Sequence, residues 1–308
     1  MSGATQAAPL TTALADYIAG FSPAVLPRAV RERTLAVVRD GTGALIAAAN
    51  PDYSTGRLIA GFARDQGGTA EASVVGYGFK TSAVMAALAN GTMGYACDIE
   101  PHHPEGILHP IAVMIPTALA LGERVGADGA RFLAAVALGC EVEYRVSMAL
   151  GPAEQYALGF HPSAVCGCFG ATAAAAFLLG LDGAATIRAL GLAACQASGM
   201  MAWESDQTEN ARPFQMGMAA RNGATAALLA ASGFGGPSAV FDTATPCLRP
   251  SAARHGRNCC CRISAGGSTA SWSWRSNPIP ACRSCIRRSM RCSGCCASAI
   301  WRPTISSI

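Results

Sequence analysis

Between residues 10 and 232 the hydrophobic positions return mostly every three or four residues, the period of an amphipathic α-helix. The pattern predicts a short helix over Leu10–Ala19 and a second opened by Pro27 and running through Ala49. In the latter, Val30, Leu35, Val37, Val38 and Leu45 fall mostly on one side, and Arg31, Arg33 and Arg39 can reach solvent. Thr81–Tyr95 reads as a helix rich in small residues, and Ile111–Gly122, almost wholly apolar, as a central one. Asp128 is placed to cap Gly129–Leu150, and Asp182 to cap Ala184–Gly199. Pro162–Leu179 and Met216–Ser232 complete a set of about eight. Val74–Tyr77 is the one strand-like scrap, so the expected class is all-α. Ser163–Leu181 carries no charge, but its Gly- and Ala-rich composition favours a buried helix over a membrane span.

Composition divides the chain near Asp242. Residues 1–242 hold thirteen basic and nineteen acidic side chains and five cysteines (Cys97, Cys140, Cys166, Cys168 and Cys195) set in apolar runs. Residues 243–308 hold ten Arg and no Asp, Glu or Lys, with nine Cys and twelve Ser, and the helical period stops. The overall formal charge of +4 therefore averages an acidic body with a basic tail and does not indicate a nucleic-acid surface. Cys282-x-x-Cys285 and Cys292-x-x-Cys295 have the spacing of a zinc module, which leaves Cys259, Cys260, Cys261 and Cys296 unexplained. Back-translation one nucleotide upstream accounts for more of the segment: it restores a Lys-Pro-Tyr-Pro-Cys run and a Leu-rich amphipathic stretch. The expectation is a helical body over 1–242 and a frameshifted, disordered tail over 243–308. The first residues lack a charged segment followed by an apolar one, so a cytoplasmic location is expected.

Polar residues concentrate at three breaks between the apolar helices. Asp98-Ile-Glu-Pro-His-His-Pro-Glu-Gly-Ile-Leu-His109-Pro contains His102, His103 and His109; Gly159-Phe-His161-Pro precedes the Ala-rich helix; and Asp206-Gln-Thr-Glu-Asn-Ala-Arg212-Pro-Phe precedes the last one. An arginine can clamp a carboxylate through parallel hydrogen bonds, and a histidine can move a proton near neutral pH. The alternative is that Asp98, Glu100 and Glu105 are solvated loop charges and that His161 merely neighbours a helix cap. Asp98, Glu100 and the loop histidines also offer metal ligands, but the loop lacks the i, i+4 histidine pair of zinc hydrolases, and no metal is expected.

At these clusters the chain resembles the MmgE/PrpD family. The resemblance runs from about Leu10 to Asp242. It rests on Ala89-Asn-Gly91 leading to Asp98 and His109-Pro110, on Phe160-His-Pro-Ser163, and on Gln207-Thr208 and Arg212-Pro-Phe-Gln-Met-Gly217 with Ala219-Ala-Arg-Asn-Gly223. It implies a large helical domain, a smaller α+β lid missing here or replaced by the tail, a homodimer, and lyase or isomerase chemistry on di- or tricarboxylates without a cofactor. Nucleic-acid and membrane partners are not implied. Carried over, Asp98, His109 and His161 are catalytic, and His102, His103, Gln207 and Arg212 bind substrate. Arg212 stands where the family's decarboxylase has a lysine, and His102 about where it has a threonine. Both departures weigh against decarboxylation.

Overall fold

The structure, a computed structural model, describes residues 9–242; the zinc, frameshift and disorder readings of 243–308 and the fate of the lid lie outside them. Among the described residues there are ten α-helices: α1 Leu10–Ala19, α2 Arg28–Ala48, α3 Ser54–Gln66, α4 Ala83–Ala96, α5 Ile111–Val125, α6 Gly129–Leu150, α7 Pro152–Ala157, α8 Pro162–Leu179, α9 Gly183–Ala194 and α10 Ala211–Ala231. One antiparallel hairpin, β1 Ala72–Val74 with β2 Phe79–Thr81, is the only sheet among them. The all-α class is therefore correct for the body.

Helices α4, α5, α8 and α10 form the centre, with α6 laid along α8 and α2 and α3 outside α4. Small residues let these helices meet closely. A Cβ on Gly91 would lie 2.8 Å from Gly217 Cα, and one on Gly223 would lie 2.4 Å from Ala171 Cβ. Pro162–Leu179 is long and apolar enough to cross a membrane, and 89% of it is buried between its neighbours. It is a core helix: every face meets another helix, which is why its sequence shows no polar side.

Several boundaries differ from the pattern, each for a physical reason. Val74–Tyr77 straddles a strand end and a turn, because Gly76 (φ +80) and Gly78 (φ +66) reverse the chain there. Buried Asn90 fastens this hairpin to α4, accepting from Val75 N at 3.0 Å and donating to Ser73 O at 2.9 Å. Helix α3 escapes the hydrophobic pattern because it is inside out. Its buried residues are Gly56, Ala60 and Ala63, while Leu58 and Phe62 are 59% and 48% exposed. Leu35 of α2, expected inside, is 47% exposed. Short α7 was also unforeseen. Helix α9 stops at Ala194 rather than Gly199, and α10 begins five residues before Met216, which moves Arg212 from a loop into a helix's first turn. Asp128 and Asp182 cap α6 and α9 as expected, accepting from Arg131 N at 2.8 Å and Ala185 N at 2.7 Å. Pro9 gives α1 no side-chain cap. Asp242 supplies one from the far end, accepting from Leu10 N at 2.6 Å and Thr11 N at 3.1 Å.

Candidate functional site

The three polar breaks converge around Tyr95, near the C-terminus of α4. The loop 98–110 leaves that helix through Asp98, held at φ +52, a conformation that non-glycine residues seldom adopt. His103 pairs with Leu108 across the loop, its Nδ1 accepts from Gly106 N at 3.2 Å, and its ring lies 4.5 Å from that of Tyr144. Ser147 of α6 donates to Gly106 O at 2.9 Å, fixing the loop to that helix. Burial pushes His103 down to about 4, so it is neutral, with its ring nitrogen engaged in bracing the loop.

His109 closes the loop. Its N–H donates to Ser163 Oγ on α8 at 3.0 Å, and its Nδ1 meets Glu100 Oε1 at 2.7 Å. Glu100 is buried, so the expectation of a solvated charge fails for this residue; the fold needs it as the partner that orients the imidazole. Tyr95 presents its ring edge-on to His109 at 4.9 Å, and the ring of His102 stands 5.8 Å away on another side.

His161 is the N-cap residue of α8. Its N–H donates to Gly199 O at 2.7 Å, and its side chain, 1% exposed, sits among the rings of Trp203 at 5.6 Å, Tyr156 at 6.1 Å and Tyr95 at 6.3 Å. Gln215 Oε1 lies 3.3 Å from His161 Nδ1 and fits a tautomer with the proton on that nitrogen. Burial, with positive charge nearby at His109 and Arg212, pushes His161 down to about 3. It is a neutral imidazole beside a cation.

Arg212 completes the group. Its Nη2 donates to Asp98 Oδ2 at 3.1 Å, and its guanidinium carbon stands 5.0 Å from the Tyr95 ring centre and 5.4 Å from that of Trp203. These walls fix the plane of its hydrogen-bond fork. Behind it, Asp206 accepts from the Thr208 hydroxyl and from Thr208, Asn210 and Ala211 N–H groups, which holds its carboxyl down to about 2 and anchors the start of α10.

Asp98, His102, His109, His161 and Arg212 thus come together, whereas His103 braces the loop. Gln207 is exposed on the turn before α10, and Gln215 is the glutamine that reaches His161. Residue patterns alone missed Tyr95, Tyr156, Ser163, Trp203 and Gln215. Trp203 carried a signal, since it is the only tryptophan before residue 243 in a chain with 6% aromatics. Asp98, Glu100 and His109 each bring a ligand atom within 4.8 Å of the others. One oxygen of each carboxylate is engaged, Asp98 Oδ2 by Arg212 and Glu100 Oε1 by His109, while Asp98 Oδ1 and Glu100 Oε2 are buried without a hydrogen-bond partner among the described residues. A cavity of about 400 Å³ borders the start of α10, lined by Thr55, Leu58, Thr92, Ala211 and Phe214 among others, and it contains none of the histidines.

Residues 12–251 match the MmgE/PrpD N-terminal domain. A cis-aconitate decarboxylase-like protein, oryM, of Aspergillus oryzae (strain ATCC 42149 / RIB 40) is 30% identical over 240 residues, covering 76% of this chain and 49% of that protein. Cis-aconitate decarboxylase of Aspergillus terreus is 27% identical over 238 residues, 76% of this chain and 48% of its own. The Homo sapiens cis-aconitate decarboxylase is 33% identical over 162 residues, 51% of this chain and 33% of its own. The chain spans about half the length of the first two of these relatives.

Proposed function

The chain belongs to the MmgE/PrpD family, and on that premise we propose that its helical body is the proton-transfer wall of a lyase or isomerase acting on a small di- or tricarboxylate. The observation that carries this reading is the orientation of Arg212, stacked between Tyr95 and Trp203 and turned toward a carboxylate, that of Asp98. A substrate carboxylate has the same shape and charge as the Asp98 group and takes its place on the guanidinium fork. Arginine keeps its proton at all working pH values, so Arg212 is a clamp and not an acid.

Proton transfer falls to the histidines. Neutral His161 removes the proton from the carbon next to a carboxylate or carbonyl, and the C–H electron pair moves into that group as an enolate. Arg212 and His109, the latter charged against Glu100, stabilise the negative charge that develops. The enolate then either expels a β-leaving group, giving an alkene, or is reprotonated on carbon, giving the epimer. The relatives' names add loss of CO2 as a third outcome, with a histidine protonating the resulting carbanion. The arginine at 212 favours the first two, because the site then holds no lysine to act as acid. The homodimer belongs to the same proposal, on the strength of the family alone.

Calorimetry of the full chain against mono-, di- and tricarboxylates tests the clamp. The di- and tricarboxylates should bind, and Arg212→Met should weaken them at least tenfold. His161→Gln should retain binding while abolishing exchange of the substrate α-hydrogen with D2O, followed by proton NMR. Binding unaffected by Arg212→Met would overturn the reading, as would exchange unaffected by His161→Gln.

A further inference from the structure

The loop that leaves α4 carries two carboxylate oxygens with nothing to bond to. Asp98 Oδ1 and Glu100 Oε2 are both buried, and neither meets a hydrogen-bond donor among the described residues. Glu100 is fully buried as a residue, so water does not replace the missing donor. A carboxylate oxygen left bare in the interior is costly, because it has given up its hydration for nothing. The other oxygen of each group is engaged. Asp98 Oδ2 accepts from Arg212 Nη2 at 3.1 Å, and Glu100 Oε1 meets His109 Nδ1 at 2.7 Å.

The geometry around these oxygens is close to that of a coordination sphere. Asp98, Glu100 and His109 each offer one ligand atom, and the three atoms lie within 4.8 Å of one another. An ion about 2.1 Å from each ligand sets neighbouring ligand atoms about 3.0–3.4 Å apart and opposite ones about 4.2 Å apart. The 2.7 Å contact between Glu100 and His109 then has to open by about 0.3–0.7 Å, and the widest pair has to close by about 0.6 Å at most. Both are small side-chain adjustments. The i, i+4 histidine pair that the sequence lacks is not needed here. The loop turns back on itself through the pairing of His103 with Leu108, and that fold sets residue 109 beside residues 98 and 100. Arg212 leaves the site open, since it holds Oδ2 of Asp98 and the bare oxygen is Oδ1.

We propose that Asp98, Glu100 and His109 form a binding site for one divalent first-row transition ion, seated between His109 and Glu100 where the two now share a hydrogen bond. One imidazole nitrogen and two carboxylate oxygens are a donor set that such ions accept. The ion supplies the counter-charge that Asp98 Oδ1 and Glu100 Oε2 lack, and the proton it displaces from the His109–Glu100 contact leaves to solvent. It also fixes a positive charge beside Arg212, on the wall where the reading above places a substrate carboxylate. Occupancy of the site does not itself rest on that reading. Zinc suits the same donors, but the nine cysteines of residues 243–308 compete for it, whereas manganese(II) prefers oxygen and nitrogen to sulfur. Manganese is therefore the probe.

Electron paramagnetic resonance of the full chain titrated with manganese(II) chloride tests this with no carboxylate ligand present, so its result is separate from those of the binding and exchange experiments above. The wild-type chain should take up one ion, with pulsed spectra showing coupling to an imidazole nitrogen. His109→Asn should abolish that coupling, and both His109→Asn and Glu100→Gln should weaken binding at least tenfold. Glu105→Gln, which removes an exposed carboxylate from the same loop, should bind as the wild type does. Manganese held only weakly by several exposed carboxylates, or bound without nitrogen coupling, overturns the proposal, as does binding that survives both ligand substitutions. Paramagnetic broadening in NMR spectra of the wild-type chain locates the ion even if a variant does not fold. The amides of residues 98–110 should be lost first, and broadening centred elsewhere overturns the proposal as well.

Discussion

Replacing Gly217 by alanine drives a methyl group into the crossing of α10 and α4. The new Cβ would lie 2.2 Å from Thr92 Oγ1, 2.4 Å from Leu88 O and 3.0 Å from Thr92 N. Ordinary carbon–oxygen contact needs about 3.3–3.5 Å, so the helices must separate by about 1 Å; the nearest backbone atom cannot yield alone, and Thr92 Oγ1 is itself bonded to Leu88 O at 2.9 Å. Helix propensity favours alanine by about 1 kcal/mol, while overpacking of this kind costs about 1–3 kcal/mol. The net expectation is a loss of up to about 2 kcal/mol, or a melting temperature lower by up to about 4–8 °C for a body of this size. Gly43 is the control. It is an exposed residue inside α2 with nothing within 4 Å of an added Cβ, so Gly43→Ala should raise stability by up to about 1 kcal/mol. The two substitutions are chemically identical and should act with opposite sign. The same shift carries a functional cost. Arg212 stands five residues before Gly217 on the same helix, and its 3.1 Å contact with Asp98 spans the α10–α4 gap. An error of about 1 Å at a positioning group can cost up to about a hundredfold, so carboxylate binding should fall at least tenfold. Thermal unfolding and calorimetry on both variants measure these effects. A Gly217→Ala chain as stable as Gly43→Ala and binding normally would refute the reasoning.

Two further predictions concern stability. His103 is pushed down to about 4 by burial, so below pH 6.5 the unfolded chain binds a proton that the folded one refuses. Its contribution is therefore complete above pH 6.5 and drains away as the pH falls toward 4, by about 1.4 kcal/mol per unit at most. Glu141 and Glu143, raised by burial, push in the opposite direction, so the readout is a difference: the stability gap between wild type and His103→Gln should narrow by about 3 kcal/mol from pH 6.5 to 4 in urea titrations, and a constant gap would contradict it. Asp242→Ala removes both acceptors that cap α1 and should cost about 1–2 kcal/mol, with faster amide exchange across Leu10–Ala19; exchange confined to its wild-type rate would remove Asp242 from that role.

Much of the architecture was legible in the residue pattern because helices are local. Periodic apolar positions and an aspartate three residues before a backbone N–H suffice to place α6 and α9, since every group involved lies within one turn. The pattern fails where a helix packs by its smallest residues: α3 buries Gly56, Ala60 and Ala63 and turns Leu58 and Phe62 outward, so hydrophobicity points to the wrong face. The polar clusters were visible as breaks between apolar runs, yet their members were not equal. His102 and His103 are adjacent in sequence. One ring stands beside His109 and the other is turned onto Tyr144 to hold the loop, a choice made by packing.

The sequence by itself determined most of the helical segments, α3 and α7 excepted, where the chain breaks between them, and that His, Asp and Arg collect at those breaks. Only the tertiary structure decided which of them meet. Arg212 finds Asp98 across 114 residues, Asp242 caps a helix 232 residues away, and Trp203 and Tyr95 enclose the guanidinium from unrelated segments. The reason lies in range. Helix formation is governed by interactions over three or four residues, which the sequence displays directly. The direction of a charged group is governed by whichever counter-charge, ring or backbone the packed helices bring within a few ångströms, and that follows from how the small residues of α4, α8 and α10 allow those helices to close.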